Sequence, residues 1–569
     1  MISGESLDST PPFPDGNRSP ALRFLSLGGI GEIGMNCYIL EYNGHSIMID
    51  CGQMQPESEM LGIDLVIPDF SYLFERKDQL RGIILTHGHE DHTGALPYLL
   101  SRITAPIYGT GLTLGFVKVK LKENKMLEEA RLIEIIPGEG FEIAPFRIVP
   151  YRVTHSLADS VGYVIETPAG NVVFSGDYKL ETDPRPGDYF DYKTLSSYGE
   201  RGVLALFADS TNVERPGTTP SESKVTDTLD RIFRKADRTL VISTFASSIH
   251  RIQNILDLAS KYDRYVFLSG LNMVRNIRMA REMGYLDISE ERIRDLRELE
   301  ETPPERRLLL STGSQGEPLS VMSRLALDRF KWLNLEKGDT VIISARVIPG
   351  NEKAILQLIN HLSRRGTEVY YEWTEHVHSS GHAYREDMKH LIQLTRPRYL
   401  VPIHGEYRHL NAHKKLAMEL GMEEESIFIQ ENGMVLEFNG EGARRAGDVE
   451  ASRVLIDGNM VGDTGNVVLR DRHHLSRDGM LVIILAIDSH SGTIVSGPDI
   501  LTRGFVFADE NEDLLNRAKD LVLEVFDTFD PESREDWGVM KESVRRALKK
   551  FLKNETARFP MILPVIIEI

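Results

Sequence analysis

The sequence reads Thr86-His87-Gly88-His89-Glu90-Asp91-His92 directly after the apolar run Ile83-Ile84-Leu85. This order predicts the end of a buried strand, then a loop, then the start of a helix. Three imidazoles and two carboxylates within six residues would cost on the order of several kcal/mol to bury without partners, and a metal ion is a suitable partner. Because the first two histidines are two residues apart on extended chain, they can point at one ion, while the Asp-His pair beyond the turn can serve a second.

Length and composition limit the classes of protein that this chain can represent. Its 569 residues suggest roughly three or four domains, and its content of 41% hydrophobic and 27% charged residues is typical of a soluble globular protein. The net charge of −19 excludes a protein that is basic over its whole surface, although a basic channel is compatible with it. Only two cysteines occur, which predicts a reducing cytoplasm, and no apolar run is long enough to span a membrane.

Several further strands are predicted to end next to an acidic residue or a histidine. The apolar stretches that indicate them are followed by Asp50, His155, Asp177 and Asp209. We expect Asp50 to orient a metal ligand or the attacking hydroxide. An isolated histidine at a strand end is usually only a satisfied polar residue, and on local sequence alone Asp209 could equally cap a helix or a turn.

Residues 239–344 alternate between strands and helices, which predicts a parallel sheet with helices on both faces. The predicted strands are 239–243, 265–269, 307–311 and 340–344, and the predicted helices are 248–262 and 273–283. Polar loops follow three of these strands, and backbone donors at helix starts in such loops could bind phosphates. The candidates are Ser247, Ser248, Gly313 and Ser314, although ordinary strand-to-helix turns have the same composition.

Sequence motifs carry a resemblance to a known family. The HxHxDH stretch at residues 87–92 resembles the signature of the metallo-β-lactamase superfamily. Asp209-Ser210-Thr211-Asn212, the stretch 375–382 and the stretch 399–406 resemble motifs A, B and C of the β-CASP nucleases, in the form found in bacterial ribonucleases J. The opening stretch 27–36 and the stretches 502–505 and 558–564 are also similar to that family, so the resemblance covers nearly the whole chain after residue 20.

The resemblance implies a site with two divalent metal ions. In that family three histidines hold one ion, an aspartate and two histidines hold the other, and a further aspartate bridges both. The matching residues here are His87, His89 and His155, then Asp91, His92 and His404, and finally Asp177. Zn²⁺ is the first expectation for the metal, and Mn²⁺ and Mg²⁺ are the alternatives. The resemblance also implies that His382 donates a proton with Asp209 as its partner, and that phosphate lies near His378, Ser379 and Ser380.

The resemblance also implies an α/β fold with a specific domain order. We expect a disordered tail over residues 1–20 and a metallo-β-lactamase αββα sandwich made of residues 21–208 and 369–439. A β-CASP parallel α/β domain is inserted at residues 209–368. A linker at 440–453 then leads to a small α+β C-terminal domain at 454–569.

The function implied is that of a metal-dependent ribonuclease in the cytoplasm. It would degrade single-stranded RNA from 5′ to 3′, prefer 5′-monophosphate ends, and also cut internally in rRNA processing and mRNA decay. A homodimer or homotetramer is expected, with other RNA-decay proteins as partners and no membrane. The alternatives are a β-lactamase or thioesterase, which would not need the inserted domain, a DNA-processing β-CASP nuclease, and a weakly active partner subunit or RNA scaffold.

Overall fold

The computed structural model describes residues 21–348, 350–458, 460–462, 465–488, 491, 493–507, 510–529 and 537–569. The expected tail over residues 1–20 lies outside the described residues. By their contacts the described residues form two compact units, one of residues 21–54 with 66–454, and one of residues 55–65 with 455–569. Within the described ranges, no helix combines the length and the apolar composition that a membrane crossing requires.

The chain up to residue 209 supplies most of the strands of the first unit. Apolar residues dominate these strands, as expected for sheets that are buried on one or both faces. The elements in chain order are β1 (Leu22–Gly28), β2 (Ile30–Gly31), β3 (Cys37–Tyr42), β4 (His45–Ile49), β5 (Leu65–Pro68), α1 (Ser71–Glu75), β6 (Leu80–Ile84), α2 (Glu90–Thr93), α3 (Leu96–Leu100), β7 (Ile107–Gly109), α4 (Gly111–Glu123), β8 (Leu132–Glu134), β9 (Phe141–Ile143), β10 (Phe146–Arg152), β11 (Val161–Thr167), β12 (Gly170–Phe174), α5 (Tyr192–Arg201) and β13 (Val203–Asp209).

An inserted α/β domain follows, and its elements are α6 (Glu222–Lys235), β14 (Leu240–Ser243), α7 (Ile249–Lys261), β15 (Tyr265–Ser269), α8 (Leu271–Glu282), β16 (Ile293–Arg294), β17 (Arg307–Ser311), α9 (Val321–Ala326), β18 (Thr340–Ile343), α10 (Glu352–Arg364) and β19 (Glu368–Tyr370). All pairs in its sheet are parallel, in the order β16-β15-β17-β14-β18-β19. Leu308 and Leu310 pack into one core and Leu309 into another, so the sheet is covered on both faces. The predicted strand-helix alternation is confirmed.

The chain then returns to the sandwich as α11 (Arg385–Thr395), β20 (Pro397–Ile403), β21 (Gly405–Glu406), α12 (Tyr407–Glu419), β22 (Met434–Asn439) and β23 (Gly442–Asp448). One sheet has the order β23-β22-β1-β3-β4-β6-β7-β8 and the other β20-β13-β12-β11-β10-β9. Their shared core contains Phe24, Phe174 and Phe207, and the ring of Phe207 lies 4.3 Å from each of the other two. The expected metallo-β-lactamase sandwich is confirmed.

Strand β23 corrects the expected linker at residues 440–453. Residues 442–448 pair antiparallel with β22 and so belong to the large sheet. The turn between the two strands is closed by Asn439, whose side-chain oxygen accepts hydrogen bonds from the backbone N–H groups of Glu441 (2.9 Å) and Gly442 (3.1 Å). The glycine-rich, charged stretch is therefore a hairpin turn followed by a strand, and glycine and charged residues suit such a turn as well as a linker.

The direction of the strands brings their carboxyl ends together. Strand β4 is parallel to β6, and β13 is parallel to both β12 and β20. Because the carboxyl ends of parallel strands meet at one edge of a sheet, the residues that follow these strands are neighbours. Asp50, Asp177 and His404 follow β4, β12 and β20 within three residues, and Asp209 is the last residue of β13.

The second unit is a small α+β domain. It contains most of β24 (Arg453–Asp457), then β25 (Met460–Val461), α13 (Asn466–Asp478), β26 (Met480–Ile487), β27 (Ile494–Arg503), α14 (Glu512–Asp527), α15 (Trp537–Thr556) and β28 (Met561–Glu568). Strand β26 lies between antiparallel β27 and parallel β28, and apolar side chains of α14 and α15 pack against it. Helix α13 was not predicted, because its described side chains are at least partly exposed and the segment lacks an apolar face.

Candidate metal centre

Three histidines converge on one point at the edge of the sandwich. His89 Nδ1 lies 3.0 Å from His87 Nε2 and 3.2 Å from His155 Nε2. The other ring nitrogen is occupied in two of the rings, since His87 Nδ1 lies 3.0 Å from Thr86 Oγ1 and His155 Nδ1 lies 2.8 Å from the carbonyl oxygen of Gly381. Burial lowers the pKa of each ring, to about 3 for His155, so the rings are neutral and their converging nitrogens fit a metal ion.

A second group lies beside the first. It consists of Asp91, His92, Asp177 and His404, whose ligand atoms all lie within 4.8 Å of one another. Asp177 Oδ2 lies 3.2 Å from His92 Nε2 and 3.6 Å from His87 Nε2, so this carboxylate touches both groups. The arrangement of mixed imidazole and carboxylate donors fits a second divalent ion. All seven residues that the sequence predicts as ligands are thus brought together.

Asp50 lies behind the second group. Its carboxylate accepts hydrogen bonds from the backbone N–H and the hydroxyl of Thr86, both at 2.8 Å, and lies 2.7 Å from His92 Nδ1. Burial raises the pKa of Asp50, and the neighbouring His92 opposes this change. Of the two roles expected for Asp50, these contacts match the orientation of a ligand, because its oxygens are already engaged by Thr86 and His92.

His382 and Asp209 form a pair at the same edge. His382 Nδ1 lies 2.8 Å from Asp209 Oδ2, and Asp209 Oδ1 accepts from the backbone N–H and the hydroxyl of Thr211. Burial lowers the pKa of His382, but the carboxylates of Asp209 and Asp177 raise it, and the pKa lies above its ordinary value. With Nδ1–H donated to Asp209, Nε2 is the atom that can exchange a proton with a substrate.

Several residues that hold this edge in place were not predicted from the sequence. Thr211 Oγ1 lies 2.6 Å from His404 Nδ1, and the Asn36 side-chain amide donates to the carbonyl oxygen of Asp91 and lies 3.1 Å from His92 Nε2. Ser175 Oγ accepts from the backbone N–H of Asp209. Asn36 and Thr211 lie inside stretches that carry the family resemblance, and that was the available signal.

The predicted phosphate-binding residues differ in what their polar groups contact. Ser379 Oγ donates to the carbonyl oxygen of Pro220, and Ser380 Oγ accepts from Asn212 Nδ2 at 2.8 Å. His378 Nδ1 lies 2.7 Å from Arg251, which also forms a bidentate ion pair with Glu222. These side chains are therefore already engaged within the protein.

Among the candidates of the inserted domain, Ser248 differs from these residues. Ser248 precedes α7, is 5% exposed, and its hydroxyl makes no hydrogen bond within the described part of the chain. It lines a cavity of about 290 Å³ together with His155 of the sandwich, whereas Ser247, Gly313 and Ser314 are not among the described residues of that lining. Gly313 has φ +103°, and a Cβ there would lie 2.6 Å from Ser320, so glycine is required at this turn.

Family models match four consecutive parts of the chain. They are the metallo-beta-lactamase superfamily over residues 30–243, the ribonuclease J beta-CASP domain over 237–362, the Zn-dependent metallo-hydrolase RNA specificity domain over 366–429, and the ribonuclease J C-terminal domain over 467–569.

Individual proteins match over nearly the whole chain. Ribonuclease J2 of Bacillus subtilis (strain 168) is 40% identical over 96% of this chain and 99% of its own length. Ribonuclease J 2 of Staphylococcus saprophyticus is 37% identical over 96% of this chain and 98% of its own length. A solved structure, titled as a protein of unknown function from Enterococcus faecalis V583, matches with a TM-score of 0.51 at 15% identity, over 74% of this chain and 100% of that one. At that identity the likeness shows the fold alone.

Proposed function

Because the chain belongs to the ribonuclease J family, we propose that it is a metal-dependent ribonuclease that hydrolyses phosphodiester bonds of RNA. It acts as a 5′-to-3′ exonuclease that prefers 5′-monophosphate ends, and it also cuts internally, in RNA maturation and decay. The observation that carries the proposal is the His382–Asp209 pair beside the two metal-binding groups, with His382 Nδ1 3.8 Å from Asp177 Oδ2. A proton donor beside two metal sites suits phosphodiester hydrolysis.

Two divalent ions are the proposed cofactors, with Zn²⁺ first and Mn²⁺ or Mg²⁺ as alternatives. The three converging histidines would hold one ion, and Asp91, His92 and His404 would hold the other. The contacts of Asp177 with both groups support a bridging role for this carboxylate. When bound, the ions supply an activated water molecule and stabilise the charge that develops on the phosphate.

The protein's own residues control the proton. Asp209 accepts the Nδ1–H of His382, fixes the orientation of the ring and favours its protonated form. His382 then donates a proton from Nε2 to the 3′-oxygen that leaves the phosphorus atom. Thr211 holds the carboxylate of Asp209 and also contacts the ring of His404, so one hydroxyl positions both the acid pair and a proposed ligand. Asp50 contacts the ring of His92 and so positions that proposed ligand.

We propose that the polar loops of the inserted domain and of the stretch 375–382 recognise the 5′ end of the RNA. The proposed phosphate-binding residues are Ser247, Ser248, Gly313, Ser314, His378, Ser379 and Ser380. Support is strongest for Ser248, since its hydroxyl makes no hydrogen bond among the described residues and the residue lines a cavity that His155 also lines. A pocket of hydroxyls and backbone amides one nucleotide deep would accept a monophosphate and exclude a triphosphate by size and charge. Single-stranded RNA is required, because a duplex is too wide for such a site.

The remaining parts of the proposal concern assembly and location. We propose a cytoplasmic enzyme that works as a homodimer or homotetramer, together with other RNA-decay proteins. We also propose domain limits of 21–208 with 369–439 for the metallo-β-lactamase domain, 209–368 for the inserted domain and 454–569 for the C-terminal domain. The hairpin of β22 and β23 replaces the expected linker.

The test uses one labelled single-stranded RNA with three different 5′ ends. The RNA carries a 5′-monophosphate, a 5′-triphosphate or a 5′-hydroxyl and is incubated with the protein and Mg²⁺, Mn²⁺ or Zn²⁺, after which products are separated by size. We expect the monophosphorylated RNA to yield mononucleotides from its 5′ end, and the triphosphorylated RNA to be cut slowly or internally. Shortening from the 3′ end, or equal rates of mononucleotide release from the two phosphorylated RNAs, would contradict the proposal.

A further inference from the structure

Two half-buried arginines donate hydrogen bonds to residues close in sequence to His382 and Asp209. Arg215 follows the motif A stretch, and its guanidinium donates to the hydroxyl of Tyr384 at 3.2 Å. Arg346 follows β18 of the inserted domain and donates to the side-chain oxygen of Asn212 at 2.8 Å. Asn212 and Tyr384 are paired by a β-bridge, so the two arginines are anchored to directly neighbouring residues.

Neither guanidinium forms an ion pair within the part of the chain that the structure describes. Among the described residues, no carboxylate lies within 4 Å of Arg215 or Arg346, whereas Arg251 and Arg231 each form a bidentate pair with a glutamate. Burial lowers the pKa of Arg346, and the charge of Arg215 lowers it further, while the carboxylate of Glu372 raises it. Two like charges held together in a partly buried place destabilise the protein unless an anion binds between them.

The position of this arginine pair relates it to the proposed chemistry. Asn212, which accepts from Arg346, donates to Ser380 Oγ at 2.8 Å and to the carbonyl oxygen of His382 at 3.4 Å. Only one side chain therefore separates the guanidinium of Arg346 from the backbone of the proposed proton donor. An anion bound by the two arginines would lie beside the reacting bond, on the side of the inserted domain.

We propose that Arg215 and Arg346 form a phosphate-binding site that holds the RNA strand next to the bond that is cut. The inference rests on the proposed function, because RNA supplies the phosphate. Guanidinium groups suit this role, since their planar fork can form two parallel hydrogen bonds to phosphate oxygens and stays charged in the cleft. The phosphate is either the 5′-terminal one or one of the backbone, and both have the same chemistry at this site.

The test measures RNA binding by Arg346→Gln in the full chain with its metals. A His382→Ala background slows turnover, and fluorescent single-stranded RNA with a 5′-monophosphate or a 5′-hydroxyl is titrated at several salt concentrations. We expect Arg346→Gln to bind roughly tenfold more weakly at low salt. The slope of log affinity against log salt should become shallower by about 0.7, the value for one phosphate contact on single strands. Arg231→Gln is the control, because Arg231 is exposed on α6 and paired with Glu375.

The two RNAs separate the sources of the phosphate. Weaker binding of both RNAs supports a backbone phosphate, and weaker binding of the monophosphorylated RNA alone supports the terminal phosphate. Affinity and salt slope equal to those of the background protein would overturn the site. If Arg346→Gln lowers the melting temperature markedly, Arg215→Gln and Arg346→Lys provide the decision, with Arg346→Lys expected to keep the salt slope. Failure of the native chain to cleave any RNA would instead refute the proposed function.

Discussion

The metal-binding groups and the loops of the inserted domain use their polar side chains differently. In the metal-binding groups the rings of His87, His92, His155 and His404 each have their Nδ1 atom bonded to the surrounding protein and their Nε2 atom among the other ligand atoms, and Nε2 of His92 also contacts Asn36. In the loops the hydroxyls vary: those of Ser379 and Ser380 are bonded inside the protein, while the hydroxyl of Ser248 makes no hydrogen bond in the described part of the chain.

This difference indicates different tasks. Side chains at the ends of paired strands, supported from behind, keep their geometry without a ligand, which a reaction centre requires. Loop residues that are bonded internally keep the loop in shape, and only a minority are left to contact a substrate. We therefore expect changes in the metal-binding groups to abolish the reaction, and changes in the loops to alter binding.

The largest effect is expected for His87→Ala and His404→Ala. Each removes one imidazole from one of the two groups, so metal analysis of each purified variant should show loss of one ion. Activity should fall by about 10³-fold or more, because charge stabilisation by metal ions contributes several kcal/mol to the reaction. Full binding of two ions by both variants would contradict the ligand assignment. His473→Ala is the control, since His473 is exposed on α13.

His382→Ala is expected to have the next largest effect. Turnover should fall by about 10²-fold or more, as for the loss of a general acid, while both ions remain bound. Asp209→Asn should have a smaller effect of the same kind, because Asp209 acts through the ring of His382. A lower rate could reflect loss of the acid or a general loss of structure, and the pH profile separates the two. Loss of the acid should flatten the alkaline limb of the profile, whereas a loss of structure would lower the rate at every pH. Unchanged turnover would place the acid elsewhere.

The two regions also differ in how far the sequence could predict them. The residues of the metal-binding groups follow strands that are evident from their apolar runs. Parallel pairing brings most of these strand ends together, whereas β10, which precedes His155, pairs antiparallel with both neighbours. The contacts of the loops depend on partners far away in sequence, such as Arg251 with His378 and Arg346 with Asn212. No local sequence pattern predicts which loop side chain such a partner will bond to. Composition likewise could not distinguish a linker from the hairpin of β22 and β23, because glycine and charged residues suit both.

The smallest of these effects is expected for Ser248→Ala. The Ser248 hydroxyl does not cap α7, so the substitution should leave the melting temperature nearly unchanged. If the hydroxyl binds the 5′-monophosphate, losing one hydrogen bond to a charged group should raise KM for monophosphorylated RNA roughly tenfold, with little change in kcat. RNA with a 5′-hydroxyl should be cleaved as by the parent protein. Ser260→Ala at the exposed end of the same helix is the matched control. An equal rise in KM for both RNAs would mean that Ser248 shapes the cavity and does not recognise the 5′ end, and a fall in kcat with unchanged KM would place it with the reaction centre.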